Sequence, residues 1–147
     1  MYIYGDTGVG KSYIAYAIYN LVKKHNLPCA VVRSLDIVEA TKATFMGLPS
    51  VDHPEYENIH NMSKFLKELG TYKGLLIIDD IGSEKSSEGV AVKLFQIIND
   101  RYEWMNHTIY TSNLNLNELK EKVGDRIVSR IVEDCKIIKI EGEDKRN

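Results

Sequence analysis

The chain has 147 residues, 44% hydrophobic and 27% charged, and its 19 basic and 21 acidic residues leave a formal net charge of −2. These are ordinary globular values, enough for one domain with a real core and leaving no room for a second. The net charge offers no argument for nucleic acid, while a balanced total is still compatible with a local basic face.

Tyr2-Ile3-Tyr4 is a short β-prone stub. Gly5-Asp6-Thr7-Gly8-Val9-Gly10-Lys11-Ser12 follows it and fits G-x-x-x-x-G-K-[ST]. Glycines at this spacing let successive main-chain N–H groups point into one concavity at the start of a helix, where they cradle phosphate oxygens. Lys11 is expected to reach the β- and γ-phosphates and the Ser12 hydroxyl to ligate Mg²⁺. The nucleotide-binding set is thus expected to run from Gly5 through Asp6, Thr7, Gly8, Val9, Gly10, Lys11 and Ser12 to Tyr13. A flexible glycine loop without a ligand is the weaker alternative, because the flanking strand and helix signals are those the motif requires.

After the loop, Ile14, Ala17, Ile18, Leu21 and Val22 recur at helical spacing and predict an amphipathic helix facing a sheet. Tyr13, Tyr16 and Tyr19 flank that stripe, and packing explains them better than base stacking. Pro28 ends the helix. Cys29 to Arg33 reads as a strand, Leu35 to Phe45 as a helix capped near Ser34, and 46 to 61 as a loop with one short helical turn. Met62 to Leu69 is a helix with Phe65, Leu66 and Leu69 on one face. Leu75-Leu76-Ile77-Ile78 is a continuous apolar run, as in a central parallel strand.

That strand ends in Asp79-Asp80. After a phosphate loop, a hydrophobic strand ending in acids places Asp79 near the phosphates to hold Mg²⁺, directly or through water. Asp80 is expected to orient an attacking water. Val90 to Trp104 is a helix with Val90, Leu94, Ile97, Ile98 and Tyr102 inward, and Thr108 to Thr111 is a strand. Its tip, Thr111-Ser112-Asn113, shares the sheet edge of the phosphate loop. The Asn113 amide has two readings: a contact to the γ-phosphate or water, and a cap or turn for the segment beginning at Asn115. Leu116 to Val123 and Arg126 to Val132 are short helices, and Lys136 to Glu141 is a half-exposed strand. Arg126 and Arg130 share a helix face. Each is open to pairing with a neighbour such as Glu133 or to entering the active site of an adjacent subunit.

Strands alternating with helices predict a parallel α/β sheet. Cys29 and Cys135 read as reduced thiols, and His25, His53, His60 and His107 show no metal-ligand spacing. No run is long enough to span a bilayer and no leader precedes the loop, so a cytoplasmic protein with no membrane partner is expected.

Taken in order, the phosphate loop, Ile77-Ile78-Asp79-Asp80-Ile81-Gly82-Ser83-Glu84, Thr111-Ser112-Asn113-Leu114, Gly124-Asp125-Arg126-Ile127-Val128-Ser129-Arg130-Ile131 and Gly142-Glu143-Asp144-Lys145-Arg146 resemble the AAA+ ATPase core of the DnaC/DnaI helicase loaders, a family close to the IstB-type transposition ATPases. The resemblance implies a P-loop NTPase sheet of order 5-1-4-3-2, ATP rather than GTP, and Asn113 as γ-phosphate sensor. It also implies Arg130, with Arg126 beside it, as a finger acting in trans through self-association. A replicative DNA helicase and single-stranded DNA are the implied partners, with Lys42, Lys64 and Lys67 as candidate DNA contacts. Asp80 stands where many AAA+ proteins carry glutamate, and its shorter arm suits slow hydrolysis. The expected unit is one AAA+ core over 1–147, a fragment lacking the N-terminal helicase-binding domain of such loaders. A transposition helper ATPase, a small P-loop kinase and a non-hydrolysing adaptor are the rival readings.

Overall fold

The computed structural model describes residues 1–45, 55–83 and 87–145. Its strands are β1 (Tyr2–Tyr4), β2 (Cys29–Arg33), β3 (Leu75–Asp79), β4 (Thr108–Ser112) and β5 (Ile137–Lys139). All pair in parallel in the order β2-β3-β4-β1-β5, which is the expected 5-1-4-3-2 sheet seen from its other edge. The helices are α1 (Lys11–Lys24), α2 (Ser34–Phe45), α3 (Glu55–Thr71), α4 (Glu88–Glu103), α5 (Leu116–Val123) and α6 (Asp125–Asp134).

Strand order decides which face each helix covers. The crossover from β1 to β2 runs one way across the sheet and all later crossovers run the other way, so right-handed connections put α1 alone on one face. The core divides accordingly. Ile3, Ile77 and Ile109 meet Ala15 of α1. Tyr2, Leu76, Ile78 and Tyr110, one residue out of phase, meet Leu66, Leu94, Ile98, Leu119 and Ile131 from α3 to α6. The same alternation fixes the chemistry at the strand ends, because Asp79 falls in phase with Ile77, on the face that α1 occupies.

Several sequence expectations change in the structure. In α1 the inward line is Lys11, Ala15, Ile18 and Val22, whereas Ile14, Ala17 and Leu21 are exposed. Lys11 must turn into the loop at the helix start, and that requirement sets the helix rotation ahead of the apolar stripe. Tyr19 packs on the core, but Tyr13 and Tyr16 do not, being 80% and 39% exposed. Helix α3 begins at Glu55, so 55–61, read as loop from scattered turn-formers, is helical; the remainder of that loop, 46–54, lies outside the described residues. In α4 Val90, Leu94, Ile97 and Ile98 are buried as expected, while Tyr102 is only half-buried. The fully buried residue of that turn is Arg101. Among the described residues, no helix is long and apolar enough to cross a membrane.

Tyr2 is fully buried in β1 and its hydroxyl donates to the Leu114 carbonyl at 2.6 Å. Burial pushes its ionisation from 10.0 up to about 12, and burial raises Tyr110 in the same sense. The folded state therefore holds these protons more tightly than the unfolded chain, so their contribution is intact below about pH 10 and is lost as pH rises through about 12. Urea titrations across that interval should show the unfolding free energy falling, with a smaller fall for Tyr2→Phe. A flat profile for the parent would contradict this.

Candidate nucleotide site

The phosphate loop is built by close approach. Gly5 has φ 153° and Gly8 φ 84°, and a Cβ at Gly5 would run into the Ile140 carbonyl, one at Gly8 into the Asp144 carboxylate. The chain after β5 lies along the loop, with the Ile140 amide donating to Tyr4 O at 2.7 Å and the Lys145 amide to Gly8 O at 3.0 Å. Gly10, φ 101°, precedes α1 without a side-chain cap, and the first turn carries no acid. Helices α4 and α5 are capped instead by Ser87 and by Asn115 with Glu118. Lys11 is 7% exposed and its Nζ donates to the carbonyls of Gly5 at 2.9 Å and Asp6 at 2.6 Å, so the ammonium sits inside the loop's curve. Val9 is buried beneath the loop, while Asp6, Thr7 and Tyr13 face solvent.

Facing the loop is the end of β3. Ser12 Oγ donates to Asp79 Oδ1 at 2.8 Å across 67 positions of sequence, which joins both residues expected at the metal. Thr111 Oγ1 donates to the same oxygen at 2.5 Å and accepts the Asp80 amide at 2.9 Å. Asp80 has φ 61°, a left-handed conformation that aspartate tolerates better than most residues. It turns the side chain toward Asn113, whose Nδ2 donates to Asp80 Oδ1 at 3.3 Å. Of the two readings of Asn113, the cap is taken by another residue: Asn115 forms a full capping box with Glu118 for α5. Lys11, Ser12, Asp79, Asp80 and Asn113 thus share one end of the sheet.

The arginines sit elsewhere. Arg130 Nε donates to Asn99 Oδ1 at 3.0 Å, its Nη1 pairs with Glu133 at 3.1 Å, and the guanidinium lies 4.6 Å from the Tyr102 ring centre. Hydrogen bonds from Tyr102 and Ser129, with Arg130 adding to them, hold the Glu133 carboxyl below its usual range. Arg126 is exposed and lies over the Phe95 ring at 4.1 Å. Within one chain, both therefore pack on α4. Lys42, Lys64 and Lys67 are exposed, and Lys64 pairs with Glu68 at 3.8 Å.

The family model described as "IstB-like ATP binding protein" matches residues 1–147. The chain belongs to this IstB-like ATP-binding family. Among curated relatives, a protein named "Replicative helicase loader DnaC" from Buchnera aphidicola subsp. Schizaphis graminum is 30% identical over 86% of this chain and 48% of its own length. The Escherichia coli K12 protein of that name is 26% identical over 86% and 47%. The chain spans about half the length of the curated relatives it matches. In structure it is similar to a DnaC helicase loader, with TM-score 0.75 and 24% identity over 96% of this chain and 77% of that one. It is also similar to AMPPCP-bound DnaA from Aquifex aeolicus, with TM-score 0.75 and 25% identity over 96% and 40%. The fold is that of AAA+ P-loop ATPases.

The donor set suits the ligand in the family's description. An uncapped helix start and a lysine inside the loop match a polyphosphate, and a hydroxyl and carboxylate in contact match a hard divalent cation. Among the described residues there is no group of three or more His, Cys, Asp or Glu that could hold a metal ion. Sequence reasoning missed Thr111 as a partner of Asp79 and Asp144 as a neighbour of the loop. Thr111 was legible as part of the polar strand tip on the phosphate-loop edge, without its partner, and the motif at 142–146 was legible without its place beside Gly8.

Proposed function

We propose that this chain binds and slowly hydrolyses ATP with Mg²⁺, and that nucleotide state controls its assembly with a replicative DNA helicase on single-stranded DNA. The observation that supports it most is the direct contact of Ser12 with Asp79, with the adjacent Asp80 bonded to Asn113. In this reading the loop amides and Lys11 bind the phosphates, and Ser12 and Asp79 would hold the metal. Bound Mg²⁺ would neutralise charge developing between the β- and γ-phosphates. Asp80 orients the attacking water and accepts its proton, while Asn113 holds the Asp80 carboxylate in place and reads the γ-phosphate. Arg130, released from Asn99 and Glu133, is the group that would reach a neighbouring copy's site, with Arg126 beside it. The relatives named as helicase loaders support the helicase as partner. For DNA the support is a cleft of about 640 Å³ between α3 and α4, lined by Lys64 and Lys67 with Lys93 and His60.

The test is ATP binding and hydrolysis by the parent and by Lys11→Ala, with and without single-stranded DNA. Losing a charge-assisted contact to phosphate should weaken Mg·ATP binding about 10- to 100-fold. Equal affinity in the two proteins would overturn the nucleotide site.

A further inference from the structure

Thr111 is 1% exposed, and its hydroxyl is committed on both sides. The Asp80 N–H can only donate, so Thr111 Oγ1 accepts it, at 2.9 Å, and the hydroxyl proton is left for Asp79 Oδ1, at 2.5 Å. The Thr111 carbonyl continues the clip by accepting the Ile81 amide at 2.9 Å. One residue of β4 thereby holds the carboxylate expected at the metal and the left-handed turn that carries the expected base. Ser12 and Thr111 both donate to Oδ1, so two hydroxyls from different elements hold the same carboxylate oxygen.

Resting on the reading of this pocket as a Mg·ATP site, we propose that Thr111 is a positioning residue that couples metal binding at Asp79 to the aim of Asp80. It acts through those two acids, which its hydroxyl contacts directly. Valine keeps the branched shape but removes the donor and acceptor. It therefore frees Asp79 to rotate and leaves the Asp80 amide without its partner, whereas serine keeps the hydroxyl and loses only a methyl group.

The experiment measures nucleotide affinity with and without Mg²⁺, the Mg²⁺ concentration at half-maximal effect, and turnover, for the parent, Thr111→Val and Thr111→Ser. Groups that orient a metal ligand are typically worth about 10- to 100-fold in metal affinity or activity. Thr111→Val should therefore raise the Mg²⁺ requirement about 10-fold and lower turnover by at least as much, leave Mg²⁺-free ATP affinity within about twofold, and be rescued by Thr111→Ser to within about threefold of the parent. An unchanged Mg²⁺ requirement in Thr111→Val, or a Thr111→Ser protein as impaired as the valine variant, overturns the coupling. Should the valine protein not fold, Thr111→Ala against Thr111→Ser makes the same comparison. A parent that binds no nucleotide at any Mg²⁺ concentration refutes the Mg·ATP reading itself, a separate outcome from failure of Thr111. The Mg²⁺ dependence of binding is readable even without turnover.

Discussion

Arg101→Ala should lower the thermal midpoint by about 10 °C and cost about 4 kcal/mol, a large fraction of the stability of a marginally stable domain. Arg101 is 1% exposed at the end of α4. Its Nη1 donates to the carbonyls of Leu69 and Tyr72, each at 3.0 Å, and its Nη2 to those of Gly74 at 2.9 Å and His107 at 2.8 Å. Its Nε donates to Thr108 Oγ1 at 2.7 Å. These acceptors belong to the end of α3 and to the chain entering β3 and β4, so one planar side chain ties together the amino-terminal edge of the sheet.

Burial lowers the Arg101 ionisation, but a guanidinium stays charged, solvated here by main-chain dipoles, including those at the favourable end of α3. Removing it takes a donor from four carbonyls, of which His107 keeps the Leu76 amide at 3.1 Å, at about 1–3 kcal/mol for each left unpaired where water cannot reach. Arg101→Lys keeps the charge but replaces a fork with a point, and should recover only about half of the loss. Urea unfolding of both variants is the check, and an alanine variant within about 1 kcal/mol of the parent would show that water replaces the whole network. The phosphate loop lies at the opposite strand ends, so folded Arg101→Lys should bind nucleotide as the parent does.

Arg101 also shows where the sequence stops being informative. The phosphate loop and the acids at the end of β3 were legible because phosphate chemistry permits few arrangements, whereas the strand order came only with the family resemblance that the ordered motifs carry. A single arginine among Asp100, Tyr102 and Glu103 looks like any solvated helix position, and only the fold supplies its carbonyls. The rotation of α1 was misread for a related reason, since periodicity records where apolar residues recur but not that Lys11 must face inward. Thr111 was placed on the right sheet edge as part of the strand tip, but its bond to Asp79 was hidden because a β-branched residue in a strand needs no further explanation. Arg130 was legible as a choice between Glu133 and a neighbouring subunit, and one chain alone displays the first.

Asp80→Asn should reduce ATP hydrolysis by about 100- to 10,000-fold, the usual worth of a positioned general base, while leaving Mg·ATP affinity within about threefold. The substitution is unusually clean here. Asn tolerates φ 61° as readily as Asp, and its amide oxygen can still accept from Asn113, so the turn and the contact survive while the basic group is lost. Asp79→Asn should behave differently, raising the Mg²⁺ requirement, because that oxygen accepts from Ser12 and Thr111 at the metal position.

Combining Asp80→Asn with Asn113→Ala should cost little more than Asp80→Asn alone, since residues acting on one water do not contribute additively. Single-turnover hydrolysis with separately measured binding distinguishes these cases. An Asp80→Asn protein that turns over at more than about a third of the parental rate would remove Asp80 as the base. Two adjacent acids can differ this much because β3 ends between them. Asp79 still follows the strand's alternation onto the α1 face, whereas Asp80 has entered a left-handed turn that carries its carboxylate across to β4. The different settings of the two carboxylates, on which the proposed division between holding a metal and orienting water rests, thus follow from a single backbone angle.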